Sequence, residues 1–152
     1  MIHIFLCYFT MVDNVKLLIF DLDQTLYDTY NNRLFPDVIT ILSHAHSLGL
    51  YVGLASYNIN AVAVLERFGI LPYFHHVMCQ QFPYNNPAHS DYKISMLTEV
   101  MTAMDCHPSN TLFFDDSSTS VRTALKLGMK ARRVRHTVGI TVYDYNTALE
   151  LV

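Results

Sequence analysis

Charge is scarce in this chain. Only 15% of the residues are Asp, Glu, Lys or Arg, the net charge is −3 with His neutral, and no basic run occurs. Without a basic stripe the sequence argues against a protein that grips nucleic acid through its phosphates. The one local group of cations, Lys130, Arg132, Arg133 and Arg135, reads as a solvated strand edge. Cysteine is scarce too: Cys7, Cys79 and Cys106 are odd in number, far apart and without a CxxC pair. That argues against a disulfide framework and for a reducing, cytoplasmic setting. His44/His46 and His75/His76 find no Cys or His partners at zinc-ligand spacing. Long apolar runs are missing as well. The stretch Met1–Thr10 is too short for a bilayer and lacks the basic flank of a signal peptide, so no membrane partner is expected. An added strand and an upstream-start artefact, with Met11 as an alternative start, both stay open for residues 1–14. No internal repeat or low-complexity segment is visible.

What the chain does hold is core. Of its 152 residues 51% are apolar, enough for one compact domain, taken here to run 1–152. Strand and helix patterns alternate. Val15–Asp21 is a continuous apolar run, as expected of a strand covered on both faces. Pro36 opens a helix through Val38, Ile41, Leu42, Ala45 and Leu48, and Gly49 closes it. Leu50–Ala55 reads as a second strand, and Asn58 caps a helix through Ala61, Val62, Leu65 and Phe68 that Gly69 ends. His76–Cys79 is a short third strand, followed by a polar loop from Gln80 to His89 that contains Pro83 and Pro87. Ser90 caps the next helix, Thr111–Phe114 is a fourth strand, a helix follows to Gly128, and Ala131–Val134 is a fifth. A final short helix is expected within Asp144–Val152. Helices between strands imply right-handed crossovers and a mostly parallel five-stranded sheet, a Rossmann-like three-layer α/β sandwich.

The chemistry-bearing residues fall at strand ends, where ligands sit in such sheets. Asp21 ends the first strand and Asp23 lies two residues on, within Asp21-Leu22-Asp23-Gln24-Thr25. Phe113-Phe114-Asp115-Asp116 repeats the pattern of paired carboxylates at the end of the fourth strand. Crowded carboxylates repel unless a cation or shared proton relieves them. One carboxylate can attack phosphorus, and a second can protonate the departing oxygen and then activate water. Mg²⁺ needs only one or two carboxylates plus a phosphate oxygen and waters. Ser56 offers a hydroxyl and an N–H to a phosphate, and Lys93 a point charge. Taken singly, Ser56 reads as a strand-end cap and Lys93 as a solvated helix residue; it is their order between the two acidic pairs that gives them weight.

Asp21-Leu22-Asp23-Gln24-Thr25, Leu54-Ala55-Ser56, Lys93 and Phe113-Phe114-Asp115-Asp116 resemble, in order, the four motifs of the haloacid dehalogenase superfamily. More closely, the chain is similar to its capless magnesium-dependent phosphatases of the eukaryotic acid-phosphatase type, over roughly residues 16 to 134. Tyr73-Phe74 and Leu127-Gly128-Met129 add to the likeness. The resemblance implies Asp21 as nucleophile and metal ligand, and Asp23 as general acid/base with its backbone carbonyl on the metal. Ser56, Lys93 and Leu22 become phosphate ligands. Asp116 is the third protein ligand of Mg²⁺, with Asp115 a neighbour or a water-mediated ligand. Thr25 caps or braces the turn. Two positions depart from the pattern: Tyr57 stands where relatives carry Arg, and Ser120 where they carry Asn. The first bears on substrate contacts, the second on support of the metal.

The gaps from Thr25 to Ser56 and from Ser56 to Lys93 leave no room for a cap domain. The loops Tyr27–Phe35 and Gln80–His89 are the expected walls of an open site, their tyrosines either stacking on an aromatic ester or packing. The function implied is a Mg²⁺-dependent phosphomonoesterase forming an aspartyl-phosphate, acting on phosphotyrosine-like or sugar-phosphate substrates, small or carried by a phosphoprotein. The alternatives are a nucleic-acid 3′-phosphatase and a catalytically degenerate binding module.

Overall fold

The structure is a computed structural model that describes residues 15–80 and 89–150. In chain order the elements are β1 (Leu17–Phe20), the short strands β2 (Tyr27–Asp28) and β3 (Arg33–Leu34), α1 (Val38–Ser47), β4 (Tyr51–Ser56) and α2 (Ala61–Arg67). There follow β5 (His76–Cys79), α3 (His89–Ala103), β6 (Thr111–Asp115), α4 (Ser118–Lys126), β7 (Lys130–Arg133) and α5 (Val142–Ala148). Five strands make one sheet in the order β5-β4-β1-β6-β7. Every pairing in it is parallel, so the sheet is wholly rather than mostly parallel. The antiparallel pair β2-β3 stands apart from it.

Alternation along β1 explains the layers. Leu18 and Phe20 point to one side with α1, α2 and α5 residues such as Ile41, Leu65 and Tyr145. Leu17 and Ile19 point to the other, against Met96, Leu97 and Val100 of α3 and Ala124 of α4. All four residues of β1 are fully buried, which is why the run reads as continuously apolar. Each such side chain contributes about 1.5–3 kcal/mol by leaving water. Phe20 and Phe114, neighbours across β1 and β6, stack with centroids 5.4 Å apart.

Some helix ends follow their local chemistry and others do not. Gly49 and Gly69 close α1 and α2 at φ +71° and +70°, values that cost glycine nothing. Asn58, expected to cap α2, lies two residues before the cap position, which Asn60 fills. Asn58 instead makes a local turn in which its Oδ1 accepts from Asn60 N at 2.8 Å. The last helix begins at Val142, earlier than expected, because Thr141 and Asp144 form a reciprocal capping box. Ser90 lies within α3. The stretch Met1–Thr10, the remainder of residues 1–14, Pro83 and Pro87 with most of the Gln80–His89 loop, and the last two residues lie outside the described residues.

The order of strands reverses beside β1: the chain steps from β1 to β4 to β5, then crosses back to β6. A parallel sheet opens a crevice at such a switch point, at the carboxyl ends of its strands. Between Thr25 and Ser56 lie only the β2-β3 pair, α1 and β4, and between Ser56 and Cys79 one helix and a 3₁₀ turn. Neither described segment builds a domain of its own. Among the described residues no helix is long and apolar enough to cross a membrane.

Candidate active site

The crevice holds the acidic residues singled out by the sequence. Asp21 follows β1 directly, and its N–H donates to Phe114 O of β6 at 3.0 Å, so the ends of the two central strands are tied at the place where both carry acid. Asp115 closes β6 in register with Arg133 of β7. One carboxylate oxygen each from Asp21, Asp115 and Asp116 lie within 4.8 Å of one another. Asp21 and Asp115 are buried and Asp116 is half-buried.

A buried cation relieves this crowding. Lys93, on α3 and 2% exposed, places Nζ 3.5 Å from Asp21 Oδ1 and 3.3 Å from Asp115 Oδ2. It donates to the carbonyl of Ala55 at 2.7 Å. The rings of Tyr57 and Phe113 flank it, with centroids 4.8 and 5.4 Å from Nζ. Burial alone would lower the Lys93 pKa, but the Asp21 and Asp115 carboxylates outweigh it and hold the ammonium above its ordinary value. Burial raises Asp21 well above the usual carboxylate range; Lys93 opposes this, while Asp115 and Asp116 add to it. Asp116 is raised to about 6, first by burial and then by its neighbour Asp115. One lysine does not balance three carboxylates.

Asp115 is oriented by Ser117, whose N–H donates to Oδ1 at 2.8 Å. Its buried Oδ2 is the oxygen 3.3 Å from Lys93 Nζ. Three carboxylates that share one ammonium fit a divalent cation: hard oxygen donors and an excess of negative charge. Mg²⁺ suits this donor set.

Asp23 stands on the same turn as Asp21 but outside the trio. Its Oδ1 accepts from Asn58 Nδ2 at 2.9 Å. Asn58 N donates in turn to Ser56 Oγ at 3.1 Å, so one asparagine joins the second acid to the hydroxyl at the end of β4. Ser56 is buried. Leu22 is buried; its carbonyl gathers the N–H groups of Thr25, Leu26 and Tyr27, and its own N–H faces the Asp21 carboxylate. Thr25 braces the turn through its backbone, accepting from Ile140 N at 2.9 Å. Its hydroxyl is buried without a partner among the described residues. Tyr57 lies over the lysine. Ser120 lies in the first turn of α4, where its N–H donates to Ser117 Oγ.

Sequence reasoning missed two residues that set this geometry. Gln24 takes the left-handed conformation, φ +59°, which a non-glycine residue adopts at a cost. Its side chain offsets that cost by donating to the carbonyl of His136 and accepting from both N and Oγ1 of Thr29. Asn58 was legible only as a helix cap. Nothing local in the sequence signals either role, because both partners are remote.

No protein-family model matches the chain, and no curated protein does. Solved structures do. A hydrolase of the haloacid dehalogenase-like family from Streptococcus pneumoniae superposes with a TM-score of 0.67 at 12% identity, over 89% of this chain and 91% of that one. The β-phosphoglucomutase of Clostridium difficile gives 0.66 at 13% identity, over 90% and 97% of the two chains. The L-2-haloacid dehalogenase of Xanthobacter autotrophicus gives 0.65 at 13%, over 79% and 77%. At such identities the likeness speaks for architecture, and the chain has the α/β fold of the haloacid dehalogenase-like hydrolases.

Proposed function

We propose that the protein is a Mg²⁺-dependent phosphomonoesterase of the haloacid dehalogenase superfamily that works through an aspartyl-phosphate on Asp21. The observation that carries this is Lys93: a fully buried ammonium set between Asp21 and Asp115 at the switch point of the sheet. A buried ion group of this kind is expensive for a merely structural purpose, whereas it suits a nucleophile that must stay ionised next to an anionic substrate.

Asp21 attacks phosphorus along the line of the departing oxygen, and the P–O bond to the leaving group breaks as the carboxyl–phosphate bond forms. Asp23, held by Asn58, gives its proton to that oxygen, then takes one from the water that cleaves the acyl phosphate. Lys93, Ser56 and the N–H of Leu22 hold phosphoryl oxygens while charge develops. Asp21, Asp116 and the carbonyl of Asp23 would hold Mg²⁺, with Asp115 beside them. Bound there, the cation supplies charge neutralisation at the phosphoryl oxygens.

The substrate class proposed is a phosphotyrosine-like ester or a sugar phosphate, free or on a phosphoprotein, admitted through a crevice without a cap. One structural neighbour is named a phosphoglucomutase, in keeping with the sugar phosphate. The setting proposed is reducing and cytoplasmic, on the odd number and wide spacing of the cysteines.

The test is phosphate release from para-nitrophenyl phosphate with Mg²⁺ and with EDTA. Activity is expected only with the metal; Asp21→Asn abolishes it, and Asp23→Asn lowers kcat by about 10²–10⁴. A folded wild-type protein that is inactive on this ester and on phosphotyrosine would overturn the reading in favour of a binding module.

A further inference from the structure

Arg132, Arg133 and Arg135, with Tyr143 and Asp144, line a cleft of about 340 Å³. Three guanidinium groups meet one carboxylate there, on a chain whose net charge is −3. Arg132 Nε donates to Asp144 Oδ1 at 3.1 Å, and its guanidinium carbon lies 5.6 Å from the Tyr143 ring centre. Arg133 Nε donates to the backbone carbonyl of Asp116 at 3.1 Å. Each guanidinium has five N–H donors, so both keep their outer edges free for a ligand. Arg135 makes no side-chain hydrogen bond or ion pair among the described residues.

The cleft adjoins the acidic crevice by construction. Arg133 is in register with Asp115 on the neighbouring strand, about 5 Å away at ordinary strand spacing. The turn that carries Arg135 closes with Gly139 N donating to Arg135 O at 2.7 Å. Its continuation is bonded to the Asp21–Thr25 turn twice, by Ile140 N to Thr25 O and by Gln24 to the carbonyl of His136. The wall of the cleft and the turn bearing both catalytic acids are therefore one framework. An array of unspent guanidinium donors matches oxyanions through paired N–H bonds.

We propose that this cleft is a second anion subsite, and that the preferred substrate is a phosphomonoester bearing a further carboxylate or phosphate a few bonds from the reacting group. The proposal rests on the phosphatase reading above. Three esters on one spacer test it: propyl phosphate, 3-phosphonooxypropanoate and 1,3-propanediol bisphosphate. The wild-type protein is expected to show kcat/KM about tenfold or more higher for a doubly anionic ester than for propyl phosphate, the gain lying in KM. In Arg135→Gln the ratio falls toward one. Because the readout is a ratio within each protein, a general loss of activity does not imitate it. A gain for the carboxylate ester alone or the bisphosphate alone identifies the anion. Equal kcat/KM for all three in the wild type, or a ratio that survives Arg135→Gln, overturns the proposal. If none of the esters is hydrolysed, the phosphatase reading has failed and the cleft is judged separately by calorimetry with 1,3-propanediol bisphosphate. Binding by the wild type that Arg135→Gln abolishes upholds an anion site, and absence of binding overturns it.

Discussion

At the scale of single residues the candidate site is a crowding of carboxylates that Lys93 relieves in part. Lys93→Met keeps the length of the side chain and leaves Asp21 and Asp115 buried without their cation. Denaturant unfolding of this variant without metal is expected to show a loss of about 3–5 kcal/mol. Asp116→Asn should act in the other direction. It removes a carboxylate that burial and Asp115 disfavour, so the metal-free protein gains stability while losing Mg²⁺-dependent turnover, a trade expected where a site is kept strained for function. Asn58→Ala separates positioning from packing. It frees Asp23 from its 2.9 Å hydrogen bond, and kcat for para-nitrophenyl phosphate should fall several-fold while KM and Tm hold. A fall in Tm large enough to account for the lost activity would reduce Asn58 to a structural role. The acids, Ser56 and Lys93 were legible in the sequence because each sits at a strand end or in a fixed order along the chain. Gln24, Asn58 and the carbonyl of Ala55 were not. Their partners are His136, Asp23 and Lys93, and no local pattern announces a contact made across the fold.

At the scale of elements the β2-β3 hairpin and the turn after β7 deserve comparison. Each is held by side chains. Asp28 collects Asn31 Nδ2 at 2.8 Å, Arg33 Nε at 3.2 Å and the N–H groups of Tyr30 and Asn31. The amide of Asn31 foremost, with those N–H groups and Arg33, holds the Asp28 carboxyl below its ordinary range. A carboxylate with a depressed folded pKa stabilises above its unfolded value near 3.9, and that contribution fades as pH falls through the folded value. An NMR titration should find Asp28 protonating below pH 3.9, the amides of Tyr30 and Asn31 shifting with it, and Asp28→Asn abolishing the acid-side change. Arg67 of α2 clamps the same hairpin through Tyr27 Oη and Asn32 Oδ1. In the second turn, Gly139 has φ +68°, and a Cβ built there would run into the ring of Phe35. Gly139→Ala should cost about 1–3 kcal/mol in a thermal or denaturant melt. Strand and helix periods showed where the principal elements run. They said nothing of β2 and β3, two residues each, whose pairing depends on Asp28 and Arg67 rather than on apolar alternation.

At the scale of the whole molecule, metal and fold should be linked. A ligand that binds only the native state stabilises it by about 2.7 kcal/mol at one hundred times its Kd, which for a chain of this size is several degrees in Tm. Mg²⁺ should therefore raise Tm in the wild type, and EDTA should reverse the rise. Asp116→Asn should show less of it or none. An equal rise in that variant would remove Asp116 from the ligand set.

The place of β1 at the centre of the sheet carries a consequence for how the protein is made. Its partners are β4, close behind it, and β6, where Leu17 meets Thr111. On the ribosome β1, which leads into Asp21, pairs on one edge early and waits on the other until more than two-thirds of the chain has emerged. Throughout that interval an apolar parallel edge lies open to other nascent chains. A chain halted before Thr111 should aggregate or recruit chaperones, and one released after Val134 should not. Asp21 meets Asp115 and Asp116 in the same step that closes the edge, so a half-made copy holds no complete set of acids for a metal.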